Sequence, residues 1–149
     1  MTEITIGDRT IPVMLSTMEL IDIQKDIGCT VAQLRDDVFG VKEIDVEGDA
    51  TTKYQITVAN DPEKMRKMGT LIRILGNAGL EEDGKDPDLT DKWVLRHLKP
   101  ALILPMALVL MAVINDAMIM ETAKKDENEN SGPVDVVIEE KNRKKGQRK

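Results

Sequence analysis

Residues 101–114, ALILPMALVLMAVI, carry no charged and no polar side chain. A helix of that composition is apolar around its whole circumference and must be covered around its whole circumference. Lipid, the chain's own core and a second polypeptide are the available covers. Length argues against lipid, since a membrane helix needs ~20 mostly apolar residues and a run of ~10–14 fits a buried helix better. Carrying the span to Met120 would take Asn115 and Asp116 into the bilayer, at ~3 kcal/mol for an aspartate at mid-span. Pro105 removes one backbone donor and is expected to kink the segment. At helical spacing Leu102, Met106, Val109 and Val113 lie on one side, and Leu104, Leu108 and Met111 nearly opposite. The rest of the body has hairpin and helix faces of its own to bury. It is therefore expected to cover one side of this helix and leave the other to a partner chain. Those seven residues are the candidate partner-binding set.

The chain has 149 residues, enough for one compact domain plus a tail. Charge is unevenly spread. Residues 141–149 hold six basic side chains and no acid, which leaves −12 on the other 140 residues out of a net −6. An acidic body repels nucleic acid, and Phe39, Tyr54 and Trp93 are too few to stack a single strand. The basic end is read as solubilising, with a nucleic-acid-binding accessory role as the alternative. The start, MTEITIGDRT, is polar, so no secretory signal is expected. Cys29 is the sole cysteine, which excludes an internal disulfide and suits a reducing cytoplasm.

Local signals place the elements. Ile4 and Ile6, a Gly7-Asp8-Arg9 turn, then Ile11 and Val13 predict a hairpin over about residues 3–15, with Pro12 on an edge strand. In STMELIDIQKDIG, Ser16 and Glu19 have capping-box spacing and Leu15 and Leu20 staple spacing. Leu20, Ile23 and Ile27 share a face with Ile21 beside them, and Gly28 is the stop. CTVAQLRDDVFG repeats the device with Thr30 and Gln33, Cys29 and Leu34, and Gly40, which predicts a second helix. A second hairpin is expected over residues 41–59. Ile44 and Val46 alternate with charges, Tyr54, Ile56 and Val58 alternate with polar residues, and Gly48-Asp49 lies near the turn. Asp61-Pro62-Glu63 starts a helix striped by Met65, Met68, Leu71, Ile72, Ile74 and Leu75, expected to stop near Gly79 before an acidic loop over 81–88. Thr90 caps a short helix through Leu98. After Met120 charged residues dominate, and 123–149 reads as a disordered tail with one apolar island at 134–138, able to add a strand to a partner's sheet. The expected fold is mainly α with small β-hairpins (α+β): a helical domain over 1–122 and the tail.

The residues show no catalytic constellation. His97 and Cys29 are one each, short of the four or so ligands of a zinc site. Cys29 at a staple position packs as a small hydrophobe, and His97 suits the last turn of a helix. Asp36-Asp37 and Glu81-Glu82-Asp83 read as solvated surface, with cation binding as the alternative, and the phosphate-cradling glycine pattern is absent. No enzyme activity, no cofactor and no metal are expected. Met65, Met68, Met106, Met111, Met118 and Met120 fall in the two most apolar helices, where methionine serves either adaptable binding or gap filling.

Three segments together resemble the tail assembly chaperones of long-tailed bacteriophages and prophages. They are ITIGDRTIPVMLSTMELIDIQKDIG, PEKMRKMGTLIRILGNAGLEEDG and LTDKWVLRHLKPALILPMALVLMAVINDA, about 75 residues in all. The second hairpin looks like an insertion relative to the plain form. The resemblance implies a mainly helical, non-enzymatic protein that coats the tape measure protein and recruits tail tube subunits. It also implies a homo-oligomer that works in the host cytoplasm and is absent from the mature virion, with no membrane and no nucleic acid as partner. A −1 frameshifted longer product is a further implication, with Lys124-Lys125 or Lys144-Lys145 as places for a slippery site. A gene without a slippery heptamer there would remove that idea.

Overall fold

A computed structural model describes residues 1–44 and 53–119 of the chain. The expected Val46, the Gly48-Asp49 turn, Lys124-Lys125, the 134–138 island and the basic 141–149 end lie outside the described residues. The chain divides into two units, Met1–Ala117 and Met118–Lys149; of the second only Met118 and Ile119 are described. The first unit is α+β, with two separate two-stranded antiparallel sheets and five α-helices among the described residues.

Strands β1 (Glu3–Ile6) and β2 (Arg9–Pro12) pair in the register Ile4↔Ile11 and Ile6↔Arg9 around a Gly7-Asp8 turn. The period of two points Ile4, Ile6 and Ile11 into the core and leaves Thr5 and Thr10 outside. Gly7 takes a φ of +61°, the left-handed backbone that a two-residue hairpin turn demands. Helix α1 (Thr17–Asp26) begins where the capping spacing places it. The Ser16 backbone N–H and hydroxyl both donate to Glu19 Oε1, at 2.7 and 2.6 Å, and the helix ends at Gly28. Ile23 is fully buried while Ile21 points outward, 60% exposed, so Ile21 does not widen the inner face.

The next segment is shorter than its cap promises. Thr30 N–H does donate to Gln33 Oε1 at 2.9 Å, but the cap opens only a 3-10 turn (Val31–Gln33) and a single α turn, α2 (Leu34–Asp37). The chain leaves the helix at Val38, where Val38 and Phe39 both enter the core beside Leu34 and Cys29. Core insertion of two consecutive large side chains overrides the local helical signal. Strands β3 (Val41–Ile44) and β4 (Lys53–Ile56) pair Val41↔Ile56 through Ile44↔Lys53. Among its described residues, this hairpin touches the core through half-buried Val41 and Ile56, while Ile44 and Tyr54 stand exposed.

Helix α3 (Pro62–Glu82) is the central element: β2, α1, helix α4 (Asp91–His97) and the 3-10 turn Val58–Asn60 all lie against it. Asp61 caps it, its Oδ1 accepting from Glu63 and Lys64 N–H at 3.1 and 3.3 Å, with Pro62 at the first position. The helix does not stop at Gly79. It runs on to Glu82, and the reversal comes at Gly84, φ +76°. Gly79 instead serves packing. A Cβ there would sit 2.0 Å from Pro12 O, so only a bare Cα lets the first hairpin settle on α3. The close approach also brings Met14 N–H to Leu75 O at 3.2 Å. The acidic loop accordingly begins at Asp83 rather than Glu81.

Thr90 Oγ1 accepts from Trp93 N–H at 3.0 Å and starts α4. Asp91 and Arg73 together tie three helices. Asp91 accepts from Thr70 Oγ1 at 2.6 Å and Arg73 Nε at 2.5 Å, and Arg73 also reaches Asp26 at 3.1 Å. A 3-10 turn (Pro100–Leu102) leads directly into α5 (Ile103–Met118). Pro105 falls in the first turn of α5, where a backbone N–H has no intrahelical acceptor, so α5 carries it as regular helix and the expected kink has no cause.

Candidate protein-binding surface

Among the described residues, helix α5 is enclosed on one side only. Ile103, Met106, Ala107 and Leu110 belong to the common core, Ala107 and Leu110 with no exposed surface, and Met111, Val113 and Ile114 pack half-buried at its edge. On the other side Leu102 is 43% exposed, Leu104 42%, Leu108 52% and Val109 38%, with Ala101, Pro105 and Ala112 also open. Four of the seven sequence-selected residues, Leu102, Leu104, Leu108 and Val109, therefore share an outward face. Met106 is a core residue and Met111 and Val113 line the boundary, which corrects the division into two sides made from spacing. The inward stripe is Ile103, Ala107, Leu110 and Ile114, at intervals of four, three and four. Sequence contains that stripe, but in a helix apolar all round it is one of several equal choices, and its rotation is set by what it packs on.

The methionines divide in the same way. Met68 and Met106 are buried and fill core volume, Met65 and Met111 are half-buried, and Met118 is exposed. Smaller apolar exposures occur at Met18 and Ile21 on α1 and at Tyr54, over whose ring Arg35 lies at 5.1 Å.

The remaining chemistry-bearing groups serve local structure. His97 stands in the last turn of α4, its Nδ1 2.8 Å from Trp93 O and its ring stacked on Trp93 at 4.6 Å. Arg9 lies over the Trp93 ring at 5.7 Å and donates to Asp88 at 2.7 Å. That hydrogen bond holds the Asp88 carboxyl below the usual carboxylate range, partly opposed by desolvation. Cys29 is buried, and burial, reinforced by the charge of Asp37 and offset by Lys67, pushes its thiol up, away from the reactive thiolate. Among the described residues no group of three or more His, Cys, Asp or Glu is placed to hold a metal ion. An open cleft of about 520 Å³ at the foot of the second hairpin is lined by Asp36, Asp61, Lys42, Lys64, Thr57 and Asn60. Its two carboxylates and two ammonium groups balance, and Asp61 is committed to capping α3.

No family model, characterised protein or solved structure matches the chain. Among the described residues, α5 carries more exposed large apolar side chains than any other helix or strand.

Proposed function

We propose that this protein is a non-enzymatic tail assembly chaperone of a long-tailed phage or prophage, which holds tape measure and tail tube proteins in soluble form through the open face of α5. It acts in the host cytoplasm and leaves before the virion is complete. The observation that carries the reading is the one-sided enclosure of α5: Leu102, Leu104, Leu108 and Val109 form an apolar row that the described residues leave uncovered. A row of that kind accepts the apolar stripe of a partner helix, at i, i+3, i+4 and i+7 anchors. The acidic body adds a second support, because like charges keep chaperone–client particles apart.

The test is coexpression with the tape measure and tail tube products encoded beside this gene. The wild-type chain is expected to co-purify with one of them, and a Leu104→Glu/Leu108→Glu double variant is expected to lose it with an unchanged circular dichroism spectrum. Recovery of no complex with either neighbour, or equal recovery by the double variant, refutes the reading.

One observation favours a second reading. Pro100–Met118 forms 19 continuous helical residues, long and apolar enough to cross a bilayer, with 22% of that window enclosed. The continuous element is longer than the 14-residue run that argued against lipid, and its one acid, Asp116, lies near the end and not at mid-span. Against crossing, Ile103, Met106, Ala107 and Leu110 would have to leave the core they share with α3 and the first hairpin. Fractionation separates the two: a pool that stays in the supernatant without detergent excludes a spanning helix, and complete retention in the membrane pellet excludes the chaperone.

A further inference from the structure

The open face of α5 has a seam narrower than its apolar surface. Leu104, Leu108, Ala112 and Asn115 follow at intervals of four, four and three, all exposed, and so form one stripe along α5, with exposed Ala101 just ahead of it in the 3-10 turn. That spacing is the one by which two helices interdigitate along their length. The ends of the stripe carry opposite charges: Lys99 just before the helix, Asp116 in its last turn. Both are exposed, and among the described residues neither has an ion-pair partner. Each also stands at the wrong end of its own helix dipole, a cation at the amino end and an anion near the carboxyl end.

We propose that this seam is a self-recognition surface, on which α5 packs antiparallel against α5 of a second copy about a two-fold axis passing at Leu108. An antiparallel copy corrects both end defects at once, because it brings its Asp116 to the amino end of α5 and its Lys99 to the carboxyl end. With Leu108 against Leu108 at the axis, the register places Leu104 opposite Ala112 and Ala101 opposite Asn115. Pro100, with Lys99 beside it, then lies level with Asp116. Large side chains thus meet small ones on either side of the axis, which allows the close ~8 Å approach at the lower end of helix–helix distances. A parallel pair would set Lys99 against Lys99 and Asp116 against Asp116 and leave both dipoles aligned. The inference rests on the face read above as the client site, and it makes self-association and client capture alternatives: the dimer covers the seam until a client helix replaces the second copy. A contact limited to one 16-residue helix, ~24 Å long, lies at the small end of specific interfaces, so the dimer is expected to dissociate on dilution.

The test uses the full chain and no client. Sedimentation over a range of concentrations is expected to show monomer and dimer in exchange. Under a mild oxidant, quenched with iodoacetamide before unfolding, Leu108→Cys is expected to form a covalent dimer, since a residue meets its own copy within the roughly 3.5–4.5 Å between Cβ atoms that a disulfide needs only at the axis. Leu104→Cys and Ala112→Cys should each fail alone and cross-link when mixed. The buried Cys29 does not compete in the folded protein. Lys99→Glu alone is expected to weaken association roughly five- to tenfold, from two symmetric pairs turned repulsive, and Lys99→Glu with Asp116→Lys in one chain to restore it. A chain monomeric at every concentration overturns the proposal. So does efficient self-linking of Leu104→Cys, which would mean a parallel pair, or flotation of a monomeric chain with phosphatidylcholine vesicles. The first two results leave client capture by the same face open, so the two ideas fail separately.

Discussion

Leu108 and Leu110 are two residues apart on α5, alike in chemistry and opposite in environment, and truncating each to alanine tests the central geometric claim. Leu110 has no exposed surface and lies in the common core, so Leu110→Ala removes buried methyl groups and leaves a cavity, at about 2–5 kcal/mol. Leu108 is already 52% exposed. Roughly half of the ~1.5–3 kcal/mol that full burial of leucine contributes is never gained there, and alanine returns a little through helix propensity, so Leu108→Ala should cost about 1 kcal/mol or less. Against a total stability of about 5–15 kcal/mol for a domain of this size the contrast is large. At roughly 4 °C per kcal/mol, the Tm should fall by about 8–20 °C for Leu110→Ala and by about 4 °C at most for Leu108→Ala. Circular dichroism melts read the helices, and urea titration followed by Trp93, the single tryptophan, supplies an independent probe. Both should be run at a dilution where association does not contribute. Equal losses at the two positions, or a larger loss at Leu108, would mean that the face described as open is enclosed, and the case for a partner on it would fall.

Gly79→Ala should lower stability by about 1–2 kcal/mol even though alanine is the better helix former by ~1 kcal/mol, because the new Cβ meets the Pro12 carbonyl and not a movable side chain; an unchanged or higher Tm would show that the first hairpin is not seated on α3. Asp88 has a folded pKa below its unfolded value, so its pairing with Arg9 contributes stability above the ordinary carboxylate range, and that contribution is lost as pH falls through the lowered folded pKa. Arg9→Gln should move the Asp88 carboxyl titration upward in an NMR series, and a titration that stays in place would contradict the 2.7 Å contact. Cys29 should resist alkylation by iodoacetamide in native buffer at pH 8 and react at the rate of unfolding in urea, since burial both hides the sulfur and raises the thiol pKa; stoichiometric labelling within minutes would refute its placement.

Starts of elements were well legible from sequence. Ser16 with Glu19, Thr30 with Gln33, Asp61 with Pro62, and Thr90 each open an element where their chemistry says they should, because a cap is a contact among residues three or four apart. Ends were less legible. Gly28 and Gly40 do stop their segments with a left-handed backbone, yet Gly79, identical in sequence terms, lies inside a helix because Pro12, 67 positions earlier, comes to rest on it. The length of the second helix failed for a related reason: its cap is local, but Val38 and Phe39 answer to a core assembled from distant segments.

The same division governs the candidate site. From the sequence alone it followed that 101–114 is helical, that its surface is apolar on every side, and that one side would need cover from elsewhere, since uncharged composition and helical period are properties of neighbouring residues. Which side that is was decided only in three dimensions. Ile103, Ala107 and Leu110 turn into the common core, and that rotation carries Met106 inside and presents Leu104 and Leu108 to the outside. An all-apolar helix has no preferred rotation of its own, so tertiary packing supplies the choice.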